Sequence, residues 1–169
     1  GHSIGEVAAA YTSGALTMEQ AVKVIFHRSR GQHVATGKGK MLAVSVPQKE
    51  AEKLIEDVSD VVSIGAVNGP RMTVLSGDEE PLIKISRDLE SKDIFNRFLK
   101  VTVPFHSHHM EPLKEELISS LQDLVPKKAS LDLYSTVTAK KENGSHLVSE
   151  YWYENVREPV YFLNALEKM

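Results

Sequence analysis

The chain opens on Gly1-His2-Ser3-Ile4-Gly5, a Gly-x-Ser-x-Gly pattern followed by the small-residue stretch Val7-Ala8-Ala9-Ala10. That order suits a serine on a tight turn at the head of a helix, a nucleophile elbow, with glycines where a Cβ would crowd the turn. The helix N-terminus would then point at Ser3, and the backbone N–H of Ile4 could donate to a developing oxyanion. A serine needs a base. Phe105-His106-Ser107-His108-His109 supplies candidates, with His106 first and His108 and His109 as alternates. The same histidines raise the thought of a metal, but the run lacks a carboxylate or fourth ligand at helical spacing, so no metal is expected. Arg28 is a cation in a largely apolar helical segment. It reads either as a snorkelling charge near the helix C-terminus or as a planar fork that grips a carboxylate bidentately.

These residues must be carried by elements. Thr17-Met18-Glu19-Gln20 forms a capping box, and Met18, Ala21, Val22, Ile25 and Phe26 follow at helical spacing, predicting a helix that ends near Thr36-Gly37. Strand signals at Met41–Val46, Val61–Val67, Met72–Ser76 and Phe95–Val101 alternate with helices opened by Pro47 and by Gly77-Asp78. The order β-α-β-β-α-β is the ferredoxin-like pattern, over residues 41–101. Beyond Pro104 the pattern predicts a helix over Glu111–Leu124, a strand over Leu131–Val137, an aromatic stretch from Tyr151-Trp152 and a last helix opened by Glu158-Pro159-Val160.

Composition bounds the function. The 169 residues carry 20 Lys+Arg against 23 Asp+Glu, a net charge of −3, which argues against nucleic acid as a partner. Apolar residues are 41% and charged residues 25%, a globular balance, and no apolar run is long enough to span a bilayer. There is no cysteine, so disulfides, thiolate metal sites and cysteine nucleophiles are excluded, in keeping with a cytoplasmic enzyme.

Taken together, Gly1-His2-Ser3-Ile4-Gly5-Glu6, Arg28-Ser29-Arg30, Ala66-Val67-Asn68-Gly69-Pro70, Val74-Leu75-Ser76-Gly77, Phe105-His106-Ser107 and Asn155-Val156-Arg157-Glu158-Pro159-Val160 resemble the acyltransferase domain of modular or iterative polyketide synthases. Fatty-acid-synthase malonyl transferases are near relatives. The resemblance implies an α/β fold: an α/β-hydrolase-like body, here residues 1–40 and 102–169, with an inserted ferredoxin-like subdomain at 41–101. It implies ping-pong transfer of a malonyl-type group from coenzyme A to Ser3, then to the phosphopantetheine thiol of an acyl carrier protein. Malonyl-CoA, the carrier protein and neighbouring synthase domains are the implied partners, with no cofactor bound by the domain itself.

By the same resemblance His106 is the base of a Ser-His dyad, oriented by a backbone carbonyl at or near Asn155, and Arg28 pairs with the substrate carboxylate. Phe105 and Ile4 fall on the malonyl-selecting side of the family's pattern, although Val103-Pro104 departs from the usual signature before them. The family's N-terminal segment, which carries a second oxyanion donor, and its C-terminal Gly-Pro-His segment have no match in these residues, so the chain by itself is expected to be inactive or nearly so. A serine hydrolase or thioesterase on the same elbow, or a structural domain whose chemistry has lapsed, are the competing readings. Arg28 separates the first of these from an acyltransferase.

Overall fold

The computed structural model describes all residues, Gly1–Met169. Helix α1 (Gly5–Thr12) and helix α2 (Met18–Gln32) come first. The capping box of α2 forms as the sequence suggests: Thr17 Oγ1 accepts from the Gln20 N–H, and the Gln20 side chain accepts from the Thr17 N–H. The buried face of α2, however, is Ala21, Val24, Arg28 and Gln32. Met18, Val22, Ile25 and Phe26 are exposed. The helix is thus turned away from the orientation its apolar residues predict, because Arg28 faces inward.

Strands β1 (Lys40–Val44), β2 (Val62–Gly69), β3 (Met72–Gly77) and β4 (Asn96–Phe98) alternate with α3 (Gln48–Leu54) and α4 (Glu79–Ser91). They form one antiparallel sheet in the order β2-β3-β1-β4. Side chains alternate between its faces. Leu42, Val44, Ile64 and Leu75 pack with Ala51, Ile55, Leu82, Ile85 and Leu89 of the two helices. Met41, Ala66 and Val74 lie in a second cluster with Val160, and Leu99 and Phe105 pack against it. That second face is the one that meets the serine turn. The fourth strand is shorter than expected, three residues in place of Phe95–Val101.

The remaining chain departs further from its sequence pattern. Residues 111–124 do not form one helix. Pro112 lies in a 3₁₀ turn (His108–Leu113), and α5 covers only Lys114–Ser120. The strand expected over Leu131–Val137 is reduced to β5 (Leu133–Tyr134), paired with β6 (Lys141–Glu142). Helix α6 (Ser149–Arg157) buries Trp152, whose indole N–H donates to Leu147 O at 2.8 Å. Val160 is extended and does not open a helix: it bridges Ala66 in parallel, bonded to Gly65 and Val67, and α7 (Phe162–Leu166) begins two residues later. Since β2 is an edge strand, Val160 occupies its free side and ties the sheet to α6.

Candidate active site

Ser3 sits in a tight turn closed by Gly5 N–H to His2 O and Glu6 N–H to Ser3 O, each 2.9 Å. Its φ is +51°, a left-handed conformation that is costly for a residue with a Cβ. The two flanking glycines differ in what they provide. A Cβ on Gly1 would lie 2.4 Å from Gly5 O, whereas a Cβ on Gly5 would meet nothing within 4 Å. The expectation that crowding requires both glycines therefore holds for Gly1 and fails for Gly5. The Ile4 N–H takes no part in the hydrogen bonds of the turn. Ile4 is 41% exposed and is not among the residues lining the cavity beside Ser3.

His106 is also left-handed, at φ +60°. Its backbone N–H donates to Val156 O, and its imidazole is clamped on both edges. Nδ1 lies 2.8 Å from Glu158 O, and Nε2 lies 2.8 Å from Ser3 Oγ. A carbonyl can only accept, so Nδ1 carries the proton and Nε2 is free to accept from the Ser3 hydroxyl. The carbonyl belongs to Glu158 and not to Asn155. Glu158 follows the last residue of α6 in an extended conformation, which frees its oxygen from the helix ladder. Asn155 reaches elsewhere: its Nδ2 donates to Glu6 Oε2 at 2.6 Å and approaches Ser3 O at 3.4 Å.

Arg28 is 1% exposed, and its Nη2 donates to Ser3 Oγ at 2.9 Å. Its Nε and Nη1 are buried without a partner. A cavity of about 210 Å³ opens beside Ser3 and His106, lined also by Phe105, Met41, Ala66 and Val74 among others, with Arg28 behind Ser3 and outside the lining. His108 and His109 lie apart from it, both directed at Asp78 Oδ1, at 3.4 and 2.7 Å. The carboxylate that both histidines meet is Asp78, from the chain just before α4. In this structure the three form a polar tie between the sheet unit and the 3₁₀ turn.

The acyl transferase domain family is matched over residues 1–169, the full chain. The chain belongs to that family. Among its relatives are erythronolide synthase EryA2 of Saccharopolyspora erythraea, 37% identical over all of this chain and 5% of that protein, and polyketide synthase GfsB of Streptomyces halstedii, 38% identical over 98% and 3%. The acyltransferase domain from module 8 of the salinomycin polyketide synthase superposes with a TM-score of 0.96 at 34% identity, over 99% of this chain and 40% of that one. The malonyl CoA-acyl carrier protein transacylase of Clostridium perfringens gives 0.90 at 29%, over 100% and 55%. The chain thus spans a small part of the curated relatives and about half or less of the solved domains.

Within this acyltransferase domain the electrostatics follow from burial. His106 is pushed down to about 3 by desolvation and then by the Arg28 charge, against which the Glu158 carbonyl works weakly. Arg28 is lowered to about 10 by desolvation, with Glu6 opposing. Glu6, 3% exposed, is raised by burial. Sequence reasoning passed over Glu6, although a lone carboxylate in an alanine-rich stretch, one turn after the serine, was a visible signal. It also passed over Met41, Ala66 and Val74, whose types say only that they belong to a core. No helix is long and apolar enough to cross a membrane.

Proposed function

We propose that the chain carries the loading chemistry of a polyketide synthase acyltransferase, moving a malonyl-type group from coenzyme A through a Ser3 acyl-enzyme to the phosphopantetheine thiol of an acyl carrier protein. The observation that carries the reading is the convergence of His106 Nε2 and Arg28 Nη2 on one oxygen, Ser3 Oγ, at 2.8 and 2.9 Å, beside two buried guanidinium N–H groups with no partner. A simple ester hydrolase has no use for such a cation. A carboxylate would satisfy it bidentately, and an acetyl group would leave it unpaired.

In this reading neutral His106 takes the Ser3 proton as Oγ attacks the thioester carbonyl. The oxyanion is met by the Ile4 N–H. Collapse expels the coenzyme A sulfur, which receives the proton back from His106, and leaves the Ser3 ester. The carrier-protein thiol then attacks with the same proton path in reverse, releasing Ser3. The Glu158 carbonyl holds the imidazole tautomer throughout. Phe105 narrows the cavity where an α-methyl would sit, which favours malonyl over methylmalonyl. The sheet order and its two helices support a ferredoxin-like subdomain at residues 41–101, set into an α/β-hydrolase-like body. The same reading makes the carrier protein and neighbouring synthase domains the partners, in the cytoplasm, with no bound cofactor.

The test is intact-mass measurement of the full parent acyltransferase domain after exposure to malonyl-, methylmalonyl- and acetyl-CoA. A malonyl adduct that disappears in Ser3→Ala supports the reading, and absence of any adduct on the unmutated domain overturns it.

A further inference from the structure

Glu6 has no part in the steps above, yet it lies on the buried face of α1 with Val7 and Ala10 and meets Tyr151 of α6. A carboxylate in that setting is costly unless its oxygens are satisfied. Three donors do so. Oε1 accepts from the Thr136 N–H at 2.7 Å and from the Tyr151 hydroxyl at 3.2 Å, and Oε2 accepts from Asn155 Nδ2 at 2.6 Å. Tyr151 and Asn155 both belong to α6, and the Asn155 amide also approaches the Ser3 carbonyl at 3.4 Å. Asn155 Oδ1 is buried and unpaired, so the donor side alone accounts for how this amide is turned.

The end of the same helix seats the base. Val156 O and Glu158 O receive the backbone N–H and the Nδ1–H of His106, at 3.2 and 2.8 Å. Nucleophile and base are thus fastened to neighbouring points of α6, His106 directly and Ser3 through Glu6 and Asn155. Both residues have positive φ, and neither turn is held by its own backbone preference.

We infer that Glu6 is a positioning residue for acyl transfer: it locks α1 to α6, so that the Ser3 turn and the His106 seat move as one body and the Oγ–Nε2 contact keeps its length. This rests on the reading of Ser3 and His106 as nucleophile and base.

The experiment compares Glu6→Gln, Asn155→Ala and the double variant in the purified full parent domain. It follows single-turnover malonyl loading against malonyl-CoA concentration, with the folded fraction measured by circular dichroism. The maximal loading rate is expected to fall roughly tenfold to a hundredfold in each single variant, the scale for a misplaced reacting group. Apparent malonyl-CoA affinity stays unchanged in Asn155→Ala, which keeps the Glu6 charge that acts on Arg28 and leaves the cavity lining in place. The double variant falls no further than the worse single one, since both remove the same link.

A folded Glu6→Gln domain that loads at the unmutated rate overturns the inference. So does a double variant whose loss is the product of the two, or a loss that only tracks the unfolded fraction. If Glu6→Gln does not fold, Asn155→Ala decides alone, because it cuts the Ser3 link and leaves two of the Glu6 donors in place. Malonyl loading that survives Ser3→Ala removes the underlying reading itself, an outcome separate from all of these.

Discussion

Replacing Arg28 by glutamine separates two jobs that this side chain performs. Its Nη2 contacts Ser3 Oγ, while Nε and Nη1 are buried with nothing to bond. A malonyl carboxylate can take two of the guanidinium donors as a fork, one from Nε or Nη1 and one from Nη2, which has a second N–H beside the one given to Ser3. Hydrogen bonds between charged groups contribute about 1.5–3 kcal/mol each, so the pair is worth about 3–6 kcal/mol. At 1.4 kcal/mol per tenfold, that is roughly a 10²- to 10⁴-fold loss of malonyl kcat/KM in Arg28→Gln. Acetyl has no carboxylate and loses only what the Ser3 contact supplies, about tenfold for one hydrogen bond to a charged group. Malonyl loses that Ser3 contact as well, so it cancels from the ratio, and the malonyl-to-acetyl preference should collapse by roughly 10²- to 10⁴-fold. Acyl-enzyme formation from each thioester, followed by intact mass in single turnover, measures both arms. An equal loss for the two acyl groups would refute the carboxylate role and leave Arg28 as a partner of Ser3 alone.

Four other outcomes follow from the same geometry. His106 is held near 3 partly by the Arg28 charge, so in Arg28→Gln its pKa rises and the acid limb of fluorophosphonate labelling at Ser3 moves to higher pH; coincident limbs would contradict the coupling. Because that folded value lies below the unfolded 6.5, the stability contributed by neutral His106 is complete above 6.5 and is lost as pH falls toward 3, and His106→Gln should flatten that part of a pH–stability curve. Phe105→Ala widens the cavity beside His106 and should raise methylmalonyl loading relative to malonyl by about tenfold or more, read by competition between the two thioesters. Gly1→Ala should abolish loading and lower the melting temperature, since its Cβ meets Gly5 O, whereas Gly5→Ala should leave the fold unchanged or stabilise it by about 0.5–1 kcal/mol; thermal denaturation of the pair decides.

Legibility from sequence followed the locality of the signal. The capping box at Thr17 and Gln20 and the alternating elements of the sheet unit are set by neighbours in the chain, and both appeared where expected. Ser3, His106 and Arg28 carried chemical signatures strong enough to be chosen, and the fold brings all three to one oxygen. What failed depended on distant partners. The orientation of α2 was misjudged because periodicity weighs Phe26 as inside and Arg28 as outside, while the site turns the charge inward. Val160 read as a helix start because nothing local reveals that the free edge of β2 will take it. The carbonyl on His106 could be assigned only to a neighbourhood, since backbone atoms have no residue signature, and the end of α6 selects Glu158.

The left-handed backbone at Ser3 and His106 has an evolutionary consequence. Glycine adopts φ of +51° or +60° freely, while any other residue bears roughly 1–2 kcal/mol of strain there. At these two positions the substitution that silences the chemistry is also the one that relaxes the chain. A duplicated copy released from selection for loading would have a downhill route to an inert but sturdier domain. A sister sequence with glycine at both positions and an intact sheet unit would bear the mark of that route: a scaffold that outlived its reaction.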